Sequence, residues 1–156
     1  FLSFGGSMLV VESSIIGSRA VKEGGVVAAH TSTRGGFSVF NSTIQDSKAM
    51  RGGVAYFWSG FFRFEDIEIA RSTADHFGGC MIIAGPPPLV CMVLRTRITD
   101  SNATTNNGGV FIPAGAAQLT VRNCTFANAR AGERGGFMHV VGGSVTIDQG
   151  TKILYT

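Results

Sequence analysis

The chain has 156 residues, 44% hydrophobic and 15% charged, with 22 glycines and a net charge of +3. That balance excludes a disordered or collagen-like class, because there is apolar material for a core and glycine keeps no three-residue period. The 13 basic residues form no block and no stripe interleaved with stacking aromatics, which argues against a nucleic-acid partner, and no run approaches the ~18 apolar residues of a membrane-spanning helix.

Taken in chain order, the first extended run is residues 8–11, a truncated copy of a unit that then recurs. Its next part is Ile15, Ser18 and Ala20, followed by Gly24-Gly25, an apolar run at 26–30, a turn at Gly35-Gly36 and a second run at 37–40. The pattern returns as Ile44/Ser47/Ala49, Gly52-Gly53, a run at 54–58, a turn at Gly60 and a run at 61–64. It returns again as Ile69/Ser72/Ala74, Gly78-Gly79, 80–84, Gly85-Pro86 and 89–94, then as Ile98/Ser101/Ala103, Gly108-Gly109, 110–114, Gly115 and 119–121. The last copy is Phe126/Ala129/Ala131, Gly135-Gly136, 137–141, Gly142-Gly143 and 144–147. Successive glycine pairs stand 28, 26, 30 and 27 residues apart.

Each unit reads strand, corner, strand, small-residue loop, and none could bury its own apolar side. Stacking the units ~4.8 Å apart lets each strand pair in parallel with its equivalent and closes an apolar interior along one axis. The expectation is an all-β fold, a right-handed parallel β-helix solenoid of about six rungs, with residues 1–156 as a single domain. Equivalent residue types in equivalent places across five copies weigh against a β-sandwich, whose antiparallel strands do not require them. Glycine is expected at the corners for positive φ or close backbone approach, and Ser-x-Ala where the coil narrows. Because Phe1-Leu2-Ser3-Phe4-Gly5-Gly6 carries no leader and falls mid-repeat, the chain reads as a segment of a longer protein.

The stretch Asn123-Cys124-Thr125-Phe126-Ala127-Asn128-Ala129, continued through Gly135-Gly136-Phe137 to Gly142-Gly143-Ser144-Val145-Thr146-Ile147, resembles the repeats of the polymorphic outer-membrane proteins. More broadly it is similar to the pectin-lyase-like right-handed β-helix superfamily. Those repeats pair a Phe/Asn motif with Gly-Gly-Ala-Ile; here the last copy keeps Phe beside Asn, and no copy has Gly-Gly-Ala-Ile. The resemblance implies a secreted or cell-surface module, with a polysaccharide or another surface protein as partner. It also opens a carbohydrate-active alternative, a polysaccharide lyase or glycoside hydrolase.

Enzymes of that superfamily gather acids, often with a base, on the outer face of adjacent rungs. Here the equivalent columns read Gly17, Asp46, Arg71, Asp100, Asn128, then Glu12, Asn41, Asp66, Arg95, Asn123, and Ser14, Thr43, Glu68, Arg97, Thr125. Opposite charges therefore fall on neighbouring rungs, Asp66 with Arg95 and Glu68 with Arg97, which is how exposed charges align strands. Those four are the catalytic candidates, weighed against a purely structural ladder that is the preferred reading. Tyr56, Trp58 and Phe61, in a corner of six aromatics, are the candidate ligand platform, weighed against packing. Cys80, Cys91 and Cys124 form no paired or metal-binding spacing, and His30, His76 and His139 occupy different places in the repeat, so no metal or cofactor is expected. Asn41-Ser42-Thr43, Asn102-Ala103-Thr104 and Asn123-Cys124-Thr125 match N-glycosylation acceptors. The function expected is a non-enzymatic structural or adhesive module, with carbohydrate binding or turnover as the alternative.

Overall fold

The interval that repeats in the sequence is the vertical period of the structure. The computed structural model describes residues 2–3, 6–30, 35–148 and 150–154, all of them strand, turn or irregular chain, with no helix among the described residues. The apolar anchors stack one above another, Ile15, Ile44, Ile69, Ile98, Phe126 and Ile153, each the parallel register partner of the next. Their strands, Ser14–Ile16, Thr43–Gln45, Glu68–Ala70, Arg97–Thr99, Thr125–Ala127 and Lys152–Leu154, make a six-stranded parallel sheet. The result is a parallel β-solenoid of about five turns, against the about six rungs expected.

This sheet is the third of four strand columns met on going once round the coil. The first holds Leu2–Ser3, Val27–His30, the start of Ala55–Glu65, Met81–Gly85 and Phe111–Gly115. The second holds Ser7–Val11, Gly36–Phe40, the rest of Ala55–Glu65, Leu89–Leu94, Gln118–Arg122 and Ser144–Ile147. The fourth holds Lys48–Arg51, Thr73–Phe77, Asn102–Ala103 and Arg130–Ala131. One expected feature is corrected: Gly60 does not separate two strands, since Ala55–Glu65 runs straight through it. The ladder carries it across, with Gly60 N–H donating to the Pro88 carbonyl at 2.8 Å and Phe61 N–H to that of Gly35 at 3.2 Å.

Alternation within each strand sends every second side chain inward. Phe57, Phe64, Ile69, Ile83, Val93, Ile98, Phe111 and Phe126 are fully buried, and the Phe57 and Phe62 rings stack at 3.7 Å. Burial of each such side chain stabilises the fold by roughly 1.5–3 kcal/mol. On the narrow side, Ser47, Ser72, Ser101 and Ala129 are buried in file, and the Ser72 and Ser101 hydroxyls share a hydrogen bond of 2.8 Å.

The corners are made differently from what the sequence reading anticipated. All nine non-glycine residues recorded with positive φ fall in two of the columns taken above for strand-face charge ladders. Glu12, Asn41, Asp66, Arg95 and Asn123 turn the chain from the second column into the third; Asp46, Arg71, Asp100 and Asn128, with Gly17, turn it from the third into the fourth. Their N–H groups keep the rung-to-rung ladder unbroken, Asp66 donating to Leu94 at 3.1 Å and Arg95 to Arg122 at 3.0 Å. Asn and Asp accept this left-handed conformation cheaply; Glu and Arg do so at roughly 1–2 kcal/mol each.

Candidate functional site

The corner between the second and third columns gathers the densest charge. Arg63 and Glu65 are two residues apart on one outward strand face, Asp66 follows at the left-handed bend, and Arg95 occupies the same bend one turn on. Arg95 grips Asp66 bidentately, Nε to Oδ1 and Nη2 to Oδ2 both at 2.8 Å, and Nη2 also reaches Glu65 Oε1. Glu65, its side chain only 10% exposed, accepts from Arg63 Nε at 2.6 Å, while the Arg63 guanidinium lies 5.6 Å from the Phe40 ring centre. Two cations and two anions thus neutralise one another across two turns. The hydrogen bonds from Arg95 hold the Asp66 carboxyl below the usual carboxylate range and push the Arg95 guanidinium above its own. Such a carboxylate stays ionised and has no proton to give as a general acid.

Glu68 and Arg97 are register partners on the outward face of the third column, yet they form no ion pair within 4.0 Å among the described residues. Both are exposed, and two long side chains in water gain too little from pairing to be held in one geometry. Of the four residues expected to act together, the fold joins Asp66 and Arg95, and it adds Glu65 and Arg63, which the sequence reading passed over. The Arg63-x-Glu65 spacing on a strand was the available signal, since alternation puts both on one face.

A second clamp sits at the next corner. Arg71 holds Asp46 through Nε–Oδ1 at 2.7 Å and Nη2–Oδ2 at 2.9 Å and touches Gln45 Oε1 at 3.2 Å, while Asp100 accepts instead from Asn128 Nδ2 at 3.1 Å. Arg71, by its hydrogen bonds, also lowers the Asp46 carboxyl. A carboxyl depressed in the folded state contributes stability that is present above its unfolded value and lost as pH falls through its folded value. Acidification below about pH 4 is therefore expected to lower the melting temperature, and Arg95→Gln should flatten that acid slope. Thermal melts of both proteins at neutral and strongly acid pH check this, and parallel slopes would count against the clamp.

The aromatic trio divides between two faces. Tyr56 points outward from the first column yet is almost wholly buried, packed with Ile82 and Ile112 and against Phe77 and Ala84, in line with the packing alternative weighed for it. The segment that returns through Phe77 and Gly78 folds over this outer row, a closure no strand periodicity reveals; burial also pushes the Tyr56 hydroxyl up. His30 stacks on Tyr56 at 5.5 Å and on Trp58 at 6.4 Å, and its Nε2 lies 3.0 Å from Glu23 Oε2. Trp58, 44% exposed, stays on this face, whereas Phe61, 53% exposed, stands on the second column. There Phe61 is the shared wall of two shallow hollows, one floored by Gly36 and Ser38 and one bounded by Val90 and Met92.

The three cysteines are free and buried, and burial pushes all three thiols up. Among the described residues no group of three or more His, Cys, Asp or Glu is disposed to hold a metal, and no helix is long and apolar enough to cross a membrane. Compared with family models, curated proteins and solved structures, the chain matches none of them.

Proposed function

We propose that the chain is a non-enzymatic structural or adhesive module of a secreted or cell-surface protein. The observation that carries this reading is where the charges go. Arg95 joins Asp66 and Glu65 of the turn before it and Arg71 joins Asp46, each across one turn, while Arg63 braces Glu65 along the strand. The second column also turns outward three exposed apolar side chains in two adjoining rows, Phe61 in one and Leu9 and Met92 in the other, the latter shared with Ser38 and Arg63. A stiff axis built by clamps, with exposed apolar side chains set among polar ones on one sheet face, suits a spacer that presents a surface to a protein or polysaccharide partner. The resemblance to polymorphic outer-membrane-protein repeats supports the surface location.

The second reading, a carbohydrate-binding or carbohydrate-active β-helix, draws on the exposed rings of Trp58 and Phe61, which could stack on sugars. One experiment separates the two. The purified chain, incubated with uronic-acid and neutral polysaccharides, is expected to release no product, and Asp66→Ala, Glu68→Ala is expected to change only its melting temperature. Turnover by the parent chain that disappears in the double variant would overturn the first reading in favour of the second.

A further inference from the structure

We propose that Asn41 and Asn123 are N-glycan acceptors and that Asn102, which carries the same tripeptide signature, is not. The inference rests on the secretory location in the reading above, but its physical content lies in three local geometries. In the first and third tripeptides the middle residue, Ser42 or Cys124, is buried, and in both the flanking Asn and Thr straddle it. With that residue turned inward, the Asn is exposed and the Thr partly exposed on either side of it, where a transferase can read them together. Asn41 and Asn123 are exposed at the left-handed bend, with φ of 46° and 51°. Neither side chain is hydrogen-bonded to another described residue, so each carboxamide is free to react. Above Asn123 the next turn supplies Gly150, where a Cβ would come within 3.0 Å of Asn123 Oδ1, so glycine keeps that carboxamide uncovered.

Asn102 shares the buried middle residue, Ala103, but differs in backbone and exposure. It is half-buried within a strand of the fourth column, registered between Thr73 and Arg130, and it lines a polar hollow with Asp100, Asn128 and Arg130. The hydroxyl of its Thr104 donates to the Asp75 carbonyl at 2.7 Å, a closer engagement than the 3.2 Å from Thr43 to the Ser14 hydroxyl.

The reaction at each acceptor is a substitution at an anomeric carbon. Asn Nδ2 forms the C–N bond to a lipid-pyrophosphate-linked oligosaccharide, the anomeric C–O bond breaks, the lipid pyrophosphate leaves, and Nδ2 gives up one proton. Both acceptors lie on one corner, three turns or about 14 Å apart, with the Asp66–Arg95 clamp between them. Glycans there would shield that corner and leave the outward face of the second column open.

The test expresses this chain behind a secretion leader in a eukaryotic cell and follows the mobility shift on N-glycosidase treatment. Two glycans are expected. Asn41→Asp and Asn123→Asp, which keep a residue suited to the left-handed bend, should each remove one; Asn102→Asp should remove none. Thermal melts of the secreted variants confirm that a lost glycan is not a lost fold. A secreted, folded chain that runs as bare polypeptide, or whose glycan count falls with Asn102→Asp, overturns the assignment. Because the leader imposes the compartment, that failure would leave the proposed native location standing.

Discussion

Ile98→Asp is expected to abolish the cooperative melt. Ile98 is 0% exposed and stands mid-stack, with Ile69 on the turn before it and Phe126 on the turn after. Removing its side chain forfeits roughly 1.5–3 kcal/mol of apolar burial. The carboxylate that replaces it falls within the hydrophobic core cluster, so it must either stay ionised without a charged partner or bind a proton, at a further cost of several kcal/mol. A domain of this size has on the order of 5–15 kcal/mol in all. In a solenoid the damage also spreads along the axis, because each turn is stabilised chiefly by its two neighbours. Circular dichroism through a thermal ramp measures the effect, and Arg97→Gln, one residue away on the outward face, should shift stability by no more than about 0.5 kcal/mol. An unperturbed melt for Ile98→Asp would place that side chain outside the coil and undo the register.

The interior was legible because a solenoid repeats its packing problem. Ile15, Ile44, Ile69, Ile98 and Phe126 align in the sequence as they pair in the sheet, and the Ser-x-Ala steps fall where side chains are buried in file. The exterior was less legible, since the same columns carry different chemistry from turn to turn. Glu12, Asn41, Asp66, Arg95 and Asn123 look like an outward strand face with alternating charge, whereas they are a corner in the left-handed conformation. The Asn and Asp content was the backbone signal, and Arg95 and Glu12 hid it. Of the proposed acid–base group, the Asp66–Arg95 pair followed from register alone. Glu65 and Arg63 join it because the strand passes unbroken through Gly60, so both lie on the face that Arg95 reaches. For Tyr56 the sequence left packing and a platform both open for a related reason: alternation gives the direction of a side chain, but the segment carrying Phe77 packs against it and keeps it from water.

Gly79→Ala tests whether the glycine pairs are spacers or hinges. The first member of each pair has positive φ, as at Gly78 with 62°, but the second is constrained by its neighbours instead. A Cβ on Gly79 would sit 2.2 Å from the Gly109 carbonyl oxygen and 2.7 Å from the Asn102 backbone. Those atoms belong to the ladder, where Gly79 N–H donates to the Gly108 carbonyl at 2.9 Å, so relief requires the turns to part. The same approach recurs at Gly25, Gly53 and Gly109, with 2.2, 2.2 and 1.8 Å to the glycine carbonyl of the next turn. Overpacking in a well-filled interior costs about 1–3 kcal/mol when side chains can adjust, and more is expected here because backbone must move. Gly17 is the matched control, left-handed with φ of 70° but with nothing within 4 Å of its added Cβ, in a column that elsewhere holds Asp46 and Asn128. Gly17→Asn should therefore leave stability within about 0.5 kcal/mol of the parent, while Gly79→Ala lowers the denaturation midpoint by several times as much. If the two variants melt alike, conformational freedom rather than the closeness of successive turns is what the glycine pairs supply, and the spacing of the whole stack would need another cause.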